Sequence, residues 1–140
     1  MSGCLIAQDR QEEALIEALA GARMPHAWLL AGPQGVGKAG FAARAALFIL
    51  SDGDQRAAAG ASSLDCDPES ATARQVAAGA HPEMLWLKRE VPATKRPKDG
   101  GPGKEEDVAR NITIDQVRAL LARLRVRPAA SRWRVVVVDS

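Results

Sequence analysis

The chain has 140 residues, enough for one hydrophobic core and too few for several domains. Apolar residues make up 46% and charged residues 26%, and the net charge of +2 is too small by itself to mark a nucleic-acid or membrane binder. No apolar run approaches the roughly 18 residues of a membrane span, and Cys4 and Cys66, the only cysteines, lie far apart outside any Cys-x-x-Cys pair, which excludes a disulfide framework or a cysteine zinc site and points to the reducing cytoplasm.

No basic region precedes the short apolar patch near Met1, so no secretory signal is read there. Residues 1–25 form an N-terminal helix region. Asp9 and Glu12 have capping-box spacing, and Leu15, Leu19 and Ala22 recur at helical spacing, predicting a helix over Arg10–Gly21.

Residues 26–51 carry the stretch on which the functional reading turns. Trp28 to Ala31 is short and apolar, as one buried strand would be. It runs into Gly32-Pro33-Gln34-Gly35-Val36-Gly37-Lys38-Ala39, and Lys38–Leu50 reads as a helix. Strand, glycine loop, lysine and helix are the context of a phosphate-binding P-loop. Glycines let backbone N–H groups converge on an anion, and the helix start adds unpaired donors and the positive end of its dipole. Lys38 would reach the β- and γ-phosphates. The pattern ordinarily ends in Lys followed by Ser or Thr, whose hydroxyl ligates Mg²⁺. Here Ala39 follows, and Gly40 cannot substitute. A glycine-rich turn that only packs remains the alternative.

Residues 52–80 are a variable segment with few large apolar side chains, of which Glu69–Ala78 has some helical character. Met84 to Leu87, after His81-Pro82-Glu83, reads as a second buried strand. Residues 91–110, rich in Pro, Gly and charge, read as a mobile loop whose lysines and arginines either touch a polyanion or are merely solvated.

Residues 112–140 hold a helix and a strand. Thr113 and Gln116 fit a capping box, and Val117, Leu120, Leu121 and Leu124 follow the helical stripe over Ile114–Arg127. Arg118, Arg123, Arg125 and Arg127 fall mostly off that stripe, on a face open to DNA, to a neighbouring subunit or simply to solvent. Val135 to Val138 are four consecutive valines, as in a parallel strand buried on both faces, and they end in Asp139. An acid at the carboxyl end of such a strand has the shape of a Walker B element, which holds Mg²⁺. Hydrolysing ATPases commonly place a water-activating Glu next; here Ser140 follows.

Taken together, Met24–Lys38, His81-Pro82-Glu83, Ile114–Arg118 and Val135–Ser140 resemble, in order and spacing, the N-terminal part of bacterial DNA polymerase III delta-prime subunits. These belong to the clamp-loader branch of the AAA+ superfamily. The resemblance implies an α/β fold, the P-loop NTPase three-layer sandwich with a parallel sheet. It implies a nucleotide-binding loop at Gly32 to Ala39, a Walker B acid at Asp139 and no catalytic residue, because delta-prime commonly does not hydrolyse ATP. It also implies partners: gamma/tau and delta subunits in a hetero-pentameric ring, and through the ring the sliding clamp and primer–template DNA, with no membrane.

In such subunits the segment after the P-loop helix often carries four zinc-binding cysteines; this chain offers only Cys66 there, so no zinc is expected. The remaining strands, sensor motifs, lid and collar would lie beyond Ser140, and a fragment truncated after the Walker B strand is the expectation. Weak binding of ATP, ADP or phosphate is the most that is expected of the loop. Two other classes stay open: an active small P-loop ATPase or kinase, and an interaction module that binds no nucleotide.

Overall fold

The structure, a computed structural model, describes residues 9–21, 23–90, 111–129 and 131–139. The expected loop over 91–110, Ala22 and Ser140 lie outside the described residues. The chain is α/β: helices accompany a small sheet of two parallel strands, as in a P-loop-like α/β fold. It divides into two compact units, Met1–Met84 with Ala129–Val135, and Leu85–Pro128 with Val136–Ser140.

In the first unit, helix α1 spans Asp9–Ala20, α2 Lys38–Leu50, α3 Gly53–Ala58 and α4 Ala71–Ala77. Leu15, Ile16 and Leu19 of α1, at the spacing that puts them on one helical face, meet Phe41, Phe48 and Ile49 of α2, Ala57 of α3 and Leu64 in one buried cluster. Phe48 is wholly buried, and burying such a side chain contributes about 1.5–3 kcal/mol. Arg56 of α3 lies over its ring, 4.5 Å from the centroid.

The Asp9–Glu12 box does not form as expected. Helix α1 already includes Asp9, and Glu12 turns inward to Arg44 and to the Leu64 N–H. The variable segment is more ordered than its composition suggests: α3 was not anticipated, and α4 starts at a Ser70 N-cap whose Oγ accepts from the Ala73 N–H.

The largest correction concerns Trp28 to Ala31, expected to be a buried strand beside the other two. It is not a strand. Leu30 packs against the core cluster, but Leu29 is 93% exposed and Trp28 42%. Only Leu30 of the run turns inward, and among the described residues the run pairs with no strand. Apolar composition says that a segment gains from burial; a strand also needs a ladder partner.

The second unit holds one helix and all of the sheet but the first residue of each strand. Strand β1 (Met84–Lys88) pairs with β2 (Val135–Asp139). Neither is buried on both faces: only Leu85 of β1 is buried, and Val138 of β2 is 61% exposed. Each strand of a two-stranded sheet keeps an open edge, so four valines in a row do not secure a central position.

Helix α5 spans Ile114–Leu124, three residues shorter than expected, and Arg125 is its C-cap. Its start is as read from the sequence. Thr113 Oγ1 accepts from the Gln116 N–H, and Gln116 Oε1 accepts from the Thr113 N–H. Gln116 Nε2 also donates to the Lys88 carbonyl at 2.9 Å, tying the helix start to the end of β1. Thr113→Ala should therefore cost about 1 kcal/mol, read as faster hydrogen exchange at the amides of residues 114–117 with those of α2 unchanged.

Candidate functional site

The loop ahead of α2 takes its shape from its glycines. Gly35 and Gly37 hold positive φ, 83° and 90°, a region that side-chain-bearing residues enter at a cost. Gly37 is the N-cap of α2 and brings no side-chain acceptor to the first-turn N–H groups. Those donors and the positive helix end are thus aimed at whatever stands before the loop. Gln34, Gly35 and Val36 are exposed, and Gly37 and Lys38 are half-buried.

Lys38 does not extend into solvent. Its Nζ donates to the carbonyls of Gly32 and Pro33, at 2.8 Å each. Pro33 O also takes the Val36 N–H at 3.4 Å. Gly32, Pro33, Val36 and Lys38 are therefore joined in one small ring of bonds.

The donor set suits an anion. It does not suit Mg²⁺: Ala39 presents a methyl group where a hydroxyl would be needed, and the first turn of α2 carries no acidic residue. Asp139 belongs to the second unit, exposed as the last residue of β2.

The segment at the zinc-module position is organised by an arginine. Arg56 Nη1 donates to Cys66 Sγ at 3.1 Å and Nη2 to the Asp65 carbonyl at 2.5 Å. Cys66 is a free thiol, half-buried. Among the described residues no group of three or more His, Cys, Asp or Glu is placed to hold a metal ion.

Two polar clusters escaped the sequence reading. In the first unit Glu12, 8% exposed, takes Arg44 Nη1 at 2.5 Å and the Leu64 N–H at 3.1 Å, while Arg44 Nη2 reaches Asp65 at 3.2 Å. A signal was there: Glu12 stands at i to Leu15, Ile16 and Leu19 at i+3, i+4 and i+7, an acid on the apolar stripe. The other cluster explains His81-Pro82-Glu83. Glu83 is 2% exposed, and its carboxylate accepts from Arg134 Nε at 2.7 Å and the Ala129 N–H at 2.9 Å. His81 Nδ1 accepts the Glu83 N–H at 3.1 Å, and Glu83 O accepts the Val135 N–H at 2.9 Å. The motif fastens the segment leading into β2 to the residue before β1.

Fold and loop together define an α/β chain whose glycine loop opens a helix with its first-turn N–H groups uncapped by any side chain. The chain matches the family described as DNA polymerase III, delta subunit, over residues 7–140, and it belongs to that family. Membership places it in DNA replication, with the clamp loader of DNA polymerase III and other subunits of that assembly as partners. Neither a curated protein nor a solved structure matches the chain. No helix among the described residues is long and apolar enough to cross a membrane.

Proposed function

We propose that the chain acts as a delta-prime-type subunit: a cytoplasmic clamp-loader ring member that keeps the phosphate loop and does not itself hydrolyse ATP. Its neighbours in the ring are gamma/tau and delta subunits, and the assembly loads the sliding clamp on primed DNA. One observation carries the reading: Gly35, Gly37 and Lys38 keep the cradle, while Ala39 offers no oxygen to a metal. Phosphoryl transfer depends on Mg²⁺ bridging the β- and γ-oxygens and on a group that positions the nucleophile. Backbone N–H groups and an ammonium bind phosphate without either.

The test is phosphate release from Mg²⁺–ATP by the full chain, alone and mixed with gamma/tau-type and delta-type subunits. The chain alone is expected to give none above background, and Ala39→Ser with Ser140→Glu to restore little. In the mixture it should co-elute with the ring without adding turnover. Steady release by the wild-type chain alone, abolished by Lys38→Ala, would refute the reading in favour of an active ATPase.

A further inference from the structure

We propose that Cys66 is a thiol-exchange site: it takes a small zwitterionic thiol into a mixed disulfide, and the cavity beside it holds the attached group. No residue of the glycine loop is involved.

The sulfur has the two surroundings in which cysteines react, partial exposure and a neighbouring cation. Cys66 is half-buried, and Arg56 Nη1 donates to its Sγ at 3.1 Å. The guanidinium is fixed from two other sides. Its Nη2 bonds the Asp65 carbonyl at 2.5 Å, and the centroid of the Phe48 ring lies 4.5 Å away. A carbonyl, a thiol and a ring leave its charge unmatched, for no carboxylate pairs with Arg56 among the described residues.

A cavity of about 430 Å³ opens beside the sulfur, a volume that takes a small molecule. Two features apart from the cysteine call for one. The Ser51 Oγ on the cavity wall is buried and has no hydrogen-bond partner among the described residues, a state that buried polar atoms seldom keep. The half-buried Arg56 cation on the same wall lacks an anion. A carboxylate would answer both. Asp52 and Asp67, both exposed, line the cavity as well and suit an ammonium. A wall with a guanidinium, a hydroxyl and two carboxylates matches a zwitterion, as the γ-glutamyl end of glutathione is.

The exchange balances with a glutathione-type disulfide as the oxidant. The Cys66 thiolate attacks one of its sulfurs, the new S–S bond forms as the old one breaks, and one glutathione leaves as a thiolate. That thiolate takes up the proton that Cys66 gave up. Drawing the sulfur into the new bond frees Arg56 Nη1 to meet the incoming carboxylate.

The probes are glutathione disulfide and bis(2-hydroxyethyl) disulfide, which carries neither carboxylate nor ammonium. Each is added to the full chain carrying Cys4→Ser, which leaves Cys66 as its one cysteine, and intact mass follows the adduct. Comparing the folded chain with the chain in urea cancels the intrinsic reactivity of each disulfide. The rate preference for glutathione disulfide should be about tenfold larger in the folded chain, the order of what one charge-assisted hydrogen bond contributes. Arg56→Met should return the preference to its value in urea. Ser51→Ala removes only a hydroxyl and should return it part of the way, so the test stands even if Arg56→Met does not fold.

No adduct on the folded chain at millimolar glutathione disulfide would overturn the site. An equal preference in the folded and unfolded chains, or one that Ser51→Ala and Arg56→Met leave unchanged, would overturn recognition by the cavity. None of these results bears on ATP turnover, so they leave the ring-member reading to its own test.

Discussion

Glu83→Ala is expected to destabilise the first unit by about 3–5 kcal/mol, the cost of removing one member of a buried ion pair. The side chains of Arg134 and Glu83 are 12% and 3% exposed, and their 2.7 Å bond leaves Arg134 little access to water. The same substitution removes the acceptor for the Ala129 N–H. Glu83→Gln keeps an oxygen for that N–H but not the charge, so an intermediate loss is expected. Replacing both partners by apolar residues of similar size, Glu83→Leu with Arg134→Met, should recover much of the loss, because no buried charge then remains unpaired. Urea unfolding followed by Trp133 fluorescence, with Trp28 and Trp86 changed to Phe, reads the unit that holds the pair. A loss below about 1 kcal/mol for Glu83→Ala, the range of an ordinary substitution, would show that the pair does not hold this segment.

What the sequence discloses depends on how local its cause is. Helix α5 was legible because an apolar stripe and a cap lie within a few residues of each other, and Thr113 with Gln116 forms the box as read. Strands β1 and β2 were legible as short apolar runs, within a residue of their bounds. Their burial was not, because it is set by what stands on either side of a sheet. Trp28 to Ala31 failed for that reason: Leu30 alone packs against the core, and Leu29 faces water. Helix α3, six residues long, is shorter than two turns and carries no readable period. The turn at Gly35 and Gly37 was legible from its glycines. The bonds of Lys38 to Gly32 and Pro33 were not, since a lysine pattern says nothing of where a flexible four-carbon stem comes to rest.

The second large effect is expected at Glu12, which joins three pieces of the first unit. It stands on α1, bonds Arg44 of α2 and accepts the N–H of Leu64, a residue only 1% exposed. Glu12→Ala leaves that N–H buried without its acceptor and takes the nearest counter-charge from Arg44. About 2–3 kcal/mol should be lost, most of it the unsatisfied donor and the charge-assisted bond. The Arg44 side chain is 30% exposed, so water offsets part of its loss and the figure stays below that for Glu83. Burial pulls the Arg44 guanidinium pKa down, but the Glu12 hydrogen bond and charge, with Asp65 behind them, outweigh it and hold it above its ordinary value. A cation with a raised pKa contributes stability that is fully present below its ordinary value and lost only as pH rises through the raised one. Arg44 therefore stays charged through the neutral and moderately alkaline range, and raising pH there should not weaken its bond to Glu12. The comparison that isolates burial is Asp65, which bonds the same guanidinium at 3.2 Å but is 81% exposed. Asp65→Asn should cost no more than about 0.5 kcal/mol, the worth of a solvated pair. Since α2 begins at Lys38, Glu12→Ala should also loosen the seating of the helix that follows the glycine loop, read as faster exchange at the amides around Arg44. Equal losses for Glu12→Ala and Asp65→Asn would mean that the buried carboxylate is not what binds α1 to α2.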